Sequence, residues 1–231
     1  MRLSTVLLVL LLSMLLAVGC RAGAPIATPA PPTAAEVLAA AATRAEQTQR
    51  FHFLLEHERG ATTIVRGIQM TRAEGDVDGP GRVQAAVKGM FSGLNFETGV
   101  VILGPDAWLQ NPLTRRWEPE AITVRQFFDA QQGVAAMLRK ARDPRLAGTE
   151  EVGGVPAYRV DASLDAAELT LLPGAPLAGQ RLDASAWIRV ADSAVLRIEL
   201  RGAAAEGDSA DLLRRLTLSR HDADVRIEPP R

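Results

Sequence analysis

Cys20 is the single thiol of the chain, and its surroundings suit acylation better than catalysis. Arg2 supplies a positive start, Val6 to Val18 is apolar except for Ser13, and Ala17-Val18-Gly19 places small side chains just ahead of the sulfur. A signal peptidase needs small residues at its cut, and a thiol at the new N-terminus can be acylated to hold the chain on a membrane. The apolar run is roughly half to two-thirds of the ~20 residues a spanning helix needs, and it matches the central region of a secretion signal. No twin arginine precedes it, which predicts export as an unfolded chain. Residues 1–19 read as a lipoprotein signal peptide and Cys20 as the lipidation site. The alternative is an ordinary cleaved signal followed by an incidental cysteine.

The other reactive side chains are dispersed. His52 and His57 are five apart, which in a regular strand sends them to opposite faces and argues against shared metal ligation. His221 is followed by Asp222 and Asp224, an acidic group that reads as a turn between two late strands. Asp76-Val77-Asp78-Gly79 resembles the start of a calcium loop, but the later ligands and the closing Glu are missing. No Gly-x-Ser-x-Gly elbow, phosphate-binding glycine loop or zincin helix occurs. With Cys20 acylated, no thiol is left as a nucleophile. The residues predict no enzyme, no metal and no cofactor. Formal charge is −1, and the basic residues, nearly all Arg, are scattered singly or in pairs, unlike the basic footprint of a nucleic-acid binder.

These residues must be positioned by a body without disulfides. Apolar residues make up 47% of the chain but aromatics only 4%, so alanine carries much of the core and burial alone must hold it. Arg21 to Pro32 is Ala/Pro-rich and prefers extended conformations, reaching at most roughly 35–40 Å. Residues 20–33 therefore form the lipidated cysteine and a tether, and 34–231 one domain. Thr33-Ala-Ala-Glu36 fits a capping box, opening a helix to about Gln49 whose apolar stripe is Val37, Leu38, Ala41, Ala42 and Ala45. Alternation then predicts strands at Phe51–Leu55, Thr63–Thr71, Arg82–Lys88, Leu94–Ile102 and Asp106–Gln110, with Gly75–Gly81 as a turn and Gly99 as a bulge or bend. A second helix is expected from Thr123 to Arg139. Further strands are expected at Thr149–Val152, Ala157–Ala162, Ala184–Val190, Ala194–Arg201, Leu212–Arg220 and Val225–Glu228, with a short helix at Asp165–Leu172. Strands that follow one another without long crossovers predict a mainly antiparallel sheet. The fold class is α+β: one large curved antiparallel sheet lying over two main helices.

The ordered motifs resemble the LppX/LprA/LprF/LprG lipoprotein family and, more distantly, the LolA-like fold. They are the lipobox at Cys20 with its Pro/Ala spacer, Phe51-His-Phe-Leu-Leu, Val87-Lys-Gly, Val101-Ile-Leu-Gly-Pro-Asp-Ala-Trp108 and Asn111-Pro-Leu-Thr-Arg-Arg-Trp117. Val152-Gly-Gly-Val-Pro-Ala-Tyr-Arg159, Ala186-Trp-Ile-Arg-Val190 with Leu196-Arg-Ile-Glu-Leu200, and the terminal Val225-Arg-Ile-Glu-Pro-Pro230 complete the set. The resemblance implies a half-barrel sheet wrapped over helices, an apolar cavity between them, and binding of acylated lipids or glycolipids that are moved across the envelope.

Sheet and helices lined by Ala, Val, Ile and Leu can fail to fill their own interior, and acyl chains would then occupy the gap. The cavity candidates are Val83, Val87, Leu94, Phe96, Val100, Ile102, Phe127, Phe128, Met137, Ala186, Ile188, Leu196 and Ile198. Phe127 and Phe128 read either as a gate or as plain core. Trp108, Trp117 and Trp187 read as sheet anchors or as residues near a cavity mouth. The expected protein is a monomeric carrier, lipid-anchored on the extracytoplasmic face of the cell membrane, with an envelope transporter as a further partner. The competing reading is a surface lipoprotein of the same fold that senses or scaffolds a partner protein without lipid cargo.

Overall fold

The computed structural model describes residues 31–63, 67, 69–124, 130–169 and 176–231. Pro32–Arg231 forms one compact unit, which carries every element below. Thr33 opens α1 (Ala34–Gln47) through reciprocal bonds. Its backbone N–H donates to Glu36 Oε2 at 2.8 Å, and the Glu36 N–H donates to Thr33 Oγ1 at 3.3 Å. The buried stripe is Ala34, Val37, Leu38, Ala41 and Ala42, as the spacing predicts. Strands β1 (Arg50–Glu58), β2 (Thr62–Thr63), β3 (Gln69–Asp78), β4 (Arg82–Phe91), β5 (Leu94–Leu103), β6 (Asp106–Gln110) and β7 (Trp117–Pro119) follow. Helix α2 (Ala130–Lys140) separates them from β8 (Arg142–Val152), β9 (Val155–Asp165), β10 (Arg181–Arg189), β11 (Val195–Arg201) and β12 (Leu213–Ser219).

The strands make one antiparallel sheet in the order β7-β6-β5-β4-β3-β1-β12-β11-β10-β9-β8, with β2 paired to β3 off that path. Laid flat, its ten gaps would span about 48 Å at ~4.8 Å per gap, whereas two helices side by side cover only about 20 Å. Yet one apolar cluster joins both helices to strands from β6 (Ala107) to β9 (Val160). The sheet must therefore curve around the helix pair.

β1 runs from Arg50 at one end, the base, to Glu58 at the other, the rim. Leu38 shares a void with Leu164 and Leu200 near the rim, while Arg44 and Thr48 lie beside Val195, Leu218 and His221 at the base. Helix α1 thus runs from rim to base, and the chain enters the domain at the rim.

Several expectations are corrected. Gly75 lies within β3 and not in a turn, because a Cβ there would sit 2.0 Å from the Gln84 carbonyl oxygen and 2.8 Å from Ala85 Cβ. The glycine is required by close approach of β4. Gly99 makes no bulge, since β4 and β5 pair through it in unbroken register. It leaves room for the Trp117 ring, whose Cη2 would lie 2.5 Å from a Cβ. Thr63 to Thr71 is not one strand: Thr63 pairs with Gln69, so the chain reverses between them. Val225–Glu228 joins no strand. Both edges of β1, β3 and β4 are already occupied, and the Ile227 carbonyl instead accepts from the Arg82 side chain at 2.7 Å. β8 is longer than its sequence pattern, beginning at Arg142 and passing through Pro144 with two register shifts against β9. Its position at the sheet edge tolerates that proline. The expected helix at Asp165–Leu172 shows a single 3₁₀ turn, Ala166–Glu168, and Thr170 to Leu172 lie outside the described residues.

Candidate functional site

The apolar interface between helices and sheet is where the residues could receive a ligand. Among the described residues it holds one void of about 30 Å³ and a smaller one of about 20 Å³. The larger lies under Leu38, Met137 and Leu138 and is floored by Ala162, Ala184, Ala186 and Ile198. Ala162 and Ala184 are direct cross-strand partners, and Ala186 follows two residues along β10, so small side chains stand together on the inner face. Room for one water takes roughly 10–15 Å³, and drug-sized pockets start at about 300 Å³. Among the described residues both voids are apolar and small.

One forked ion pair ties the two helices to each other, and single ion pairs tie each of them to the rest of the domain. Arg139 of α2 makes a forked pair with Glu46 of α1, with Nη2 to Oε2 at 2.8 Å. Among the described residues, the ion pairs from the helices to the rest of the domain are Arg44–Asp222 at 2.5 Å and Lys140–Glu168 at 3.6 Å. The rest of the attachment is Ala, Val, Leu and Met.

Met137, Ala186 and Ile198 line the larger void. Val83, Val87, Val100, Ile102 and Ile188 are buried in the same apolar cluster, away from that lining. Phe96 is half-buried. Two candidates are misplaced by the sequence reading. Leu94 is 74% exposed at a hairpin tip. Leu196 faces away from the helices because a register shift between Trp187 and Ile188 puts an extra residue into β11. Val195 and Ile198 then both join the main core, while Leu196 packs with Trp187, Ala157 and Val152. Phe127, Phe128 and Cys20 lie outside the described residues. Leu38, Leu138, Ala162 and Ala184 line the void without having been candidates. The stripe of α1 and the alternation of β9 could have found them.

Trp187 is a sheet anchor. Its Nε1–H donates to Glu150 Oε2 at 2.8 Å, and the guanidinium carbons of Arg159 and Arg197 each lie 5.4 Å from its ring centroid. Hydrogen bonds from Trp187 and then Arg159 hold the Glu150 carboxyl below its usual range.

A buried polar cluster near the rim was not foreseen. Arg214 is 3% exposed and pairs with Asp208, while its Nε donates to Thr62 Oγ1 and its Nη1 to the Gly202 carbonyl, both at 3.1 Å. Asp208 Oδ2 also accepts from the Ala204 and Ala205 N–H groups at 2.8 and 2.9 Å. His57, opposite Arg214 in the ladder, lies 2.8 Å from Thr62 Oγ1 through Nε2 and 3.1 Å from the Thr71 carbonyl through Nδ1. Burial pushes its imidazole down to about 4, with Arg214 adding to the effect. Every member is satisfied, which marks a structural cluster. His52 points to the other face, its Nδ1 2.9 Å from Asp76. His221 contacts the Val195 carbonyl through Nε2 at 2.9 Å, and burial lowers its pKa. Among the described residues no group of three or more His, Cys, Asp or Glu is placed to hold a metal, and no helix is long and apolar enough to cross a membrane.

A large antiparallel sheet over a helix pair with an apolar seam defines a class that solved structures share. Mycobacterium bovis LprF superposes with a TM-score of 0.65 at 15% identity, covering 85% of this chain and 96% of that one. Mycobacterium tuberculosis lipoprotein LppX gives a TM-score of 0.59 at 17% identity, covering 83% and 98%. No curated protein sequence matches the chain. The family model of the LppX_LprAFG lipoproteins matches residues 33–227, and the chain belongs to that family.

Proposed function

We propose that this chain is a lipoprotein anchored through Cys20 on the extracytoplasmic face of the cytoplasmic membrane. It binds the acyl chains of a lipid or glycolipid between helices and sheet, and passes that cargo to another envelope component. Residues 1–19 act as signal peptide and the following segment as tether. The observation that carries the reading is the alanine-floored apolar seam beneath a helix pair that packs on the sheet through Ala, Val, Leu and Met. Each methylene moved from water into such a seam contributes about 0.8 kcal/mol. Among the described residues the void of about 30 Å³ is far smaller than a chain, and in this reading the helix pair separates from the sheet on uptake. No covalent change to the cargo is needed, and release follows from the difference in affinity between carrier and acceptor.

The test is native mass spectrometry of protein purified from a bacterial envelope, together with uptake of a fluorescent fatty acyl probe. Co-purifying acylated lipid and saturable uptake are expected. Absence of both would overturn the carrier reading. The small volume of the void favours one competing function, a sensor or scaffold of the same fold that docks a protein and never opens. Protein capture without any lipid signal would decide for it.

A further inference from the structure

We infer that the rim of the domain, led by the β4–β5 hairpin tip, rests on the lipid bilayer. The large apolar side chains exposed among the described residues are Phe91 at 51%, Leu94 at 74%, Leu113 at 92% and Val190 at 42%. Three of these four lie at the rim. Phe91 and Leu94 are cross-strand partners flanking the two-residue turn Ser92-Gly93, whose φ values of 50° and 79° are those of a tight hairpin turn. That geometry fixes both side chains on a ladder, exposed beyond the core on the sheet face that also carries Val87 and Val100. Leu113 projects from the β6–β7 turn, at the same end of the sheet because Gln110 and Trp117 close that turn on the rim side.

Two further observations select a bilayer as the occupant. The first is charge. The tip from Met90 to Asn95 carries no charged residue, and the neighbouring turn carries Arg115 and Arg116 without a carboxylate. Among the described residues neither arginine forms an ion pair, and the Arg115 Nη1 donates to the Glu97 carbonyl at 3.3 Å. Apolar side chains rimmed by unpaired cations match the acyl boundary beneath anionic headgroups. The second is the path of the chain. Helix α1 runs from rim to base, so Thr33, where the domain begins, lies at the rim. The segment that precedes it leads to Cys20. The inference rests on the proposed anchor, since a tether leaving at this end brings the exposed tips to the surface in which the acyl chains are set. A seam opening toward the rim would then face its donor membrane directly.

The test uses the chain recovered from a host envelope, with an environment-sensitive fluorophore on Ser92→Cys at the tip or on Asp224→Cys at the base. Protein without an added cysteine measures any label taken up by Cys20. Each is mixed with vesicles of phosphatidylethanolamine and phosphatidylglycerol. The expected result is a blue-shifted Ser92→Cys label, quenched by spin-labelled acyl chains, beside an unshifted Asp224→Cys label. Phe91→Ser with Leu94→Ser should abolish the quenching with the melting temperature unchanged, and Arg115→Gln with Arg116→Gln should remove its dependence on phosphatidylglycerol. A tip label as wet as the base label overturns the inference, even where the protein floats with the vesicles and the anchor stands. A shift that appears only on adding an envelope protein also overturns it, and makes the tip a protein-docking site. Quenching that persists in Cys20→Ala protein that no longer floats on its own keeps the contact and confirms that the anchor is separate from it.

Discussion

At the scale of single residues, His57 couples the fold to acidity. Its folded imidazole titrates at about 4 and its unfolded one near 6.5, so between those values the unfolded chain binds more protons. Stability is therefore fully present above about pH 6.5 and declines as pH falls toward 4. Burial of His221 acts in the same direction. Between pH 6.5 and 5 the His57 contribution to this loss is roughly 2 kcal/mol. Urea denaturation at the two pH values should show it, and His57→Gln should flatten it. Asp208 presents a different hazard. Replacing it by Asn leaves the Arg214 charge buried without a counter-ion, and a loss of about 3–5 kcal/mol is expected in the same denaturation measurement. Gly75→Ala must move the β4 backbone, because no rotamer change removes a contact with a carbonyl oxygen. It should cost about 2–3 kcal/mol.

At the scale of elements, the α1 cap was legible because it is local: Thr33 and Glu36 are three residues apart and satisfy each other's backbone. Thr33→Ala should weaken the domain by about 1 kcal/mol, read as a lower melting temperature. The alternation of β4 was legible for the same reason, each residue's face being set by its neighbours two places away. Leu196 was not, since the bulge that turns it outward depends on how β10 pairs with β11, and no window on one strand contains that information. The same holds for the rim cluster, whose Thr62 and Arg214 are 152 residues apart. Glycines were the other weak point. Gly75 and Gly99 signal a turn or kink by type, but here they mark where a neighbouring backbone or an indole comes close. Of the seam itself, Met137, Ala186 and Ile198 were readable by periodicity, while the choice among equally apolar inward positions depended on where two helices fail to cover nine or more strands.

At the scale of the molecule, the proposed carrier differs from a cup with a fixed hollow. The void among its described residues is smaller than an acyl chain, so on the proposed reading the helix pair moves, and the two helices should exchange their amide hydrogens through an opening that leaves β1 and its ladder to β12 intact. Hydrogen exchange should find α1 and α2 among the first regions to lose protection and β1 among the last. An acyl ligand should slow the helices selectively. Uniform protection of helices and sheet would argue for a body that opens only by unfolding. The open sheet carries a further consequence at its two ends. β8 holds Pro144, Asp143 at a φ of 51° and Gly148 at 139°, and the opposite border is a three-residue strand ending in Pro119. Neither border offers a long run of free N–H and C=O groups for another chain to extend. Copies crowded together in two dimensions can therefore collide side by side without zipping into fibrils, so high density need not bring polymerisation.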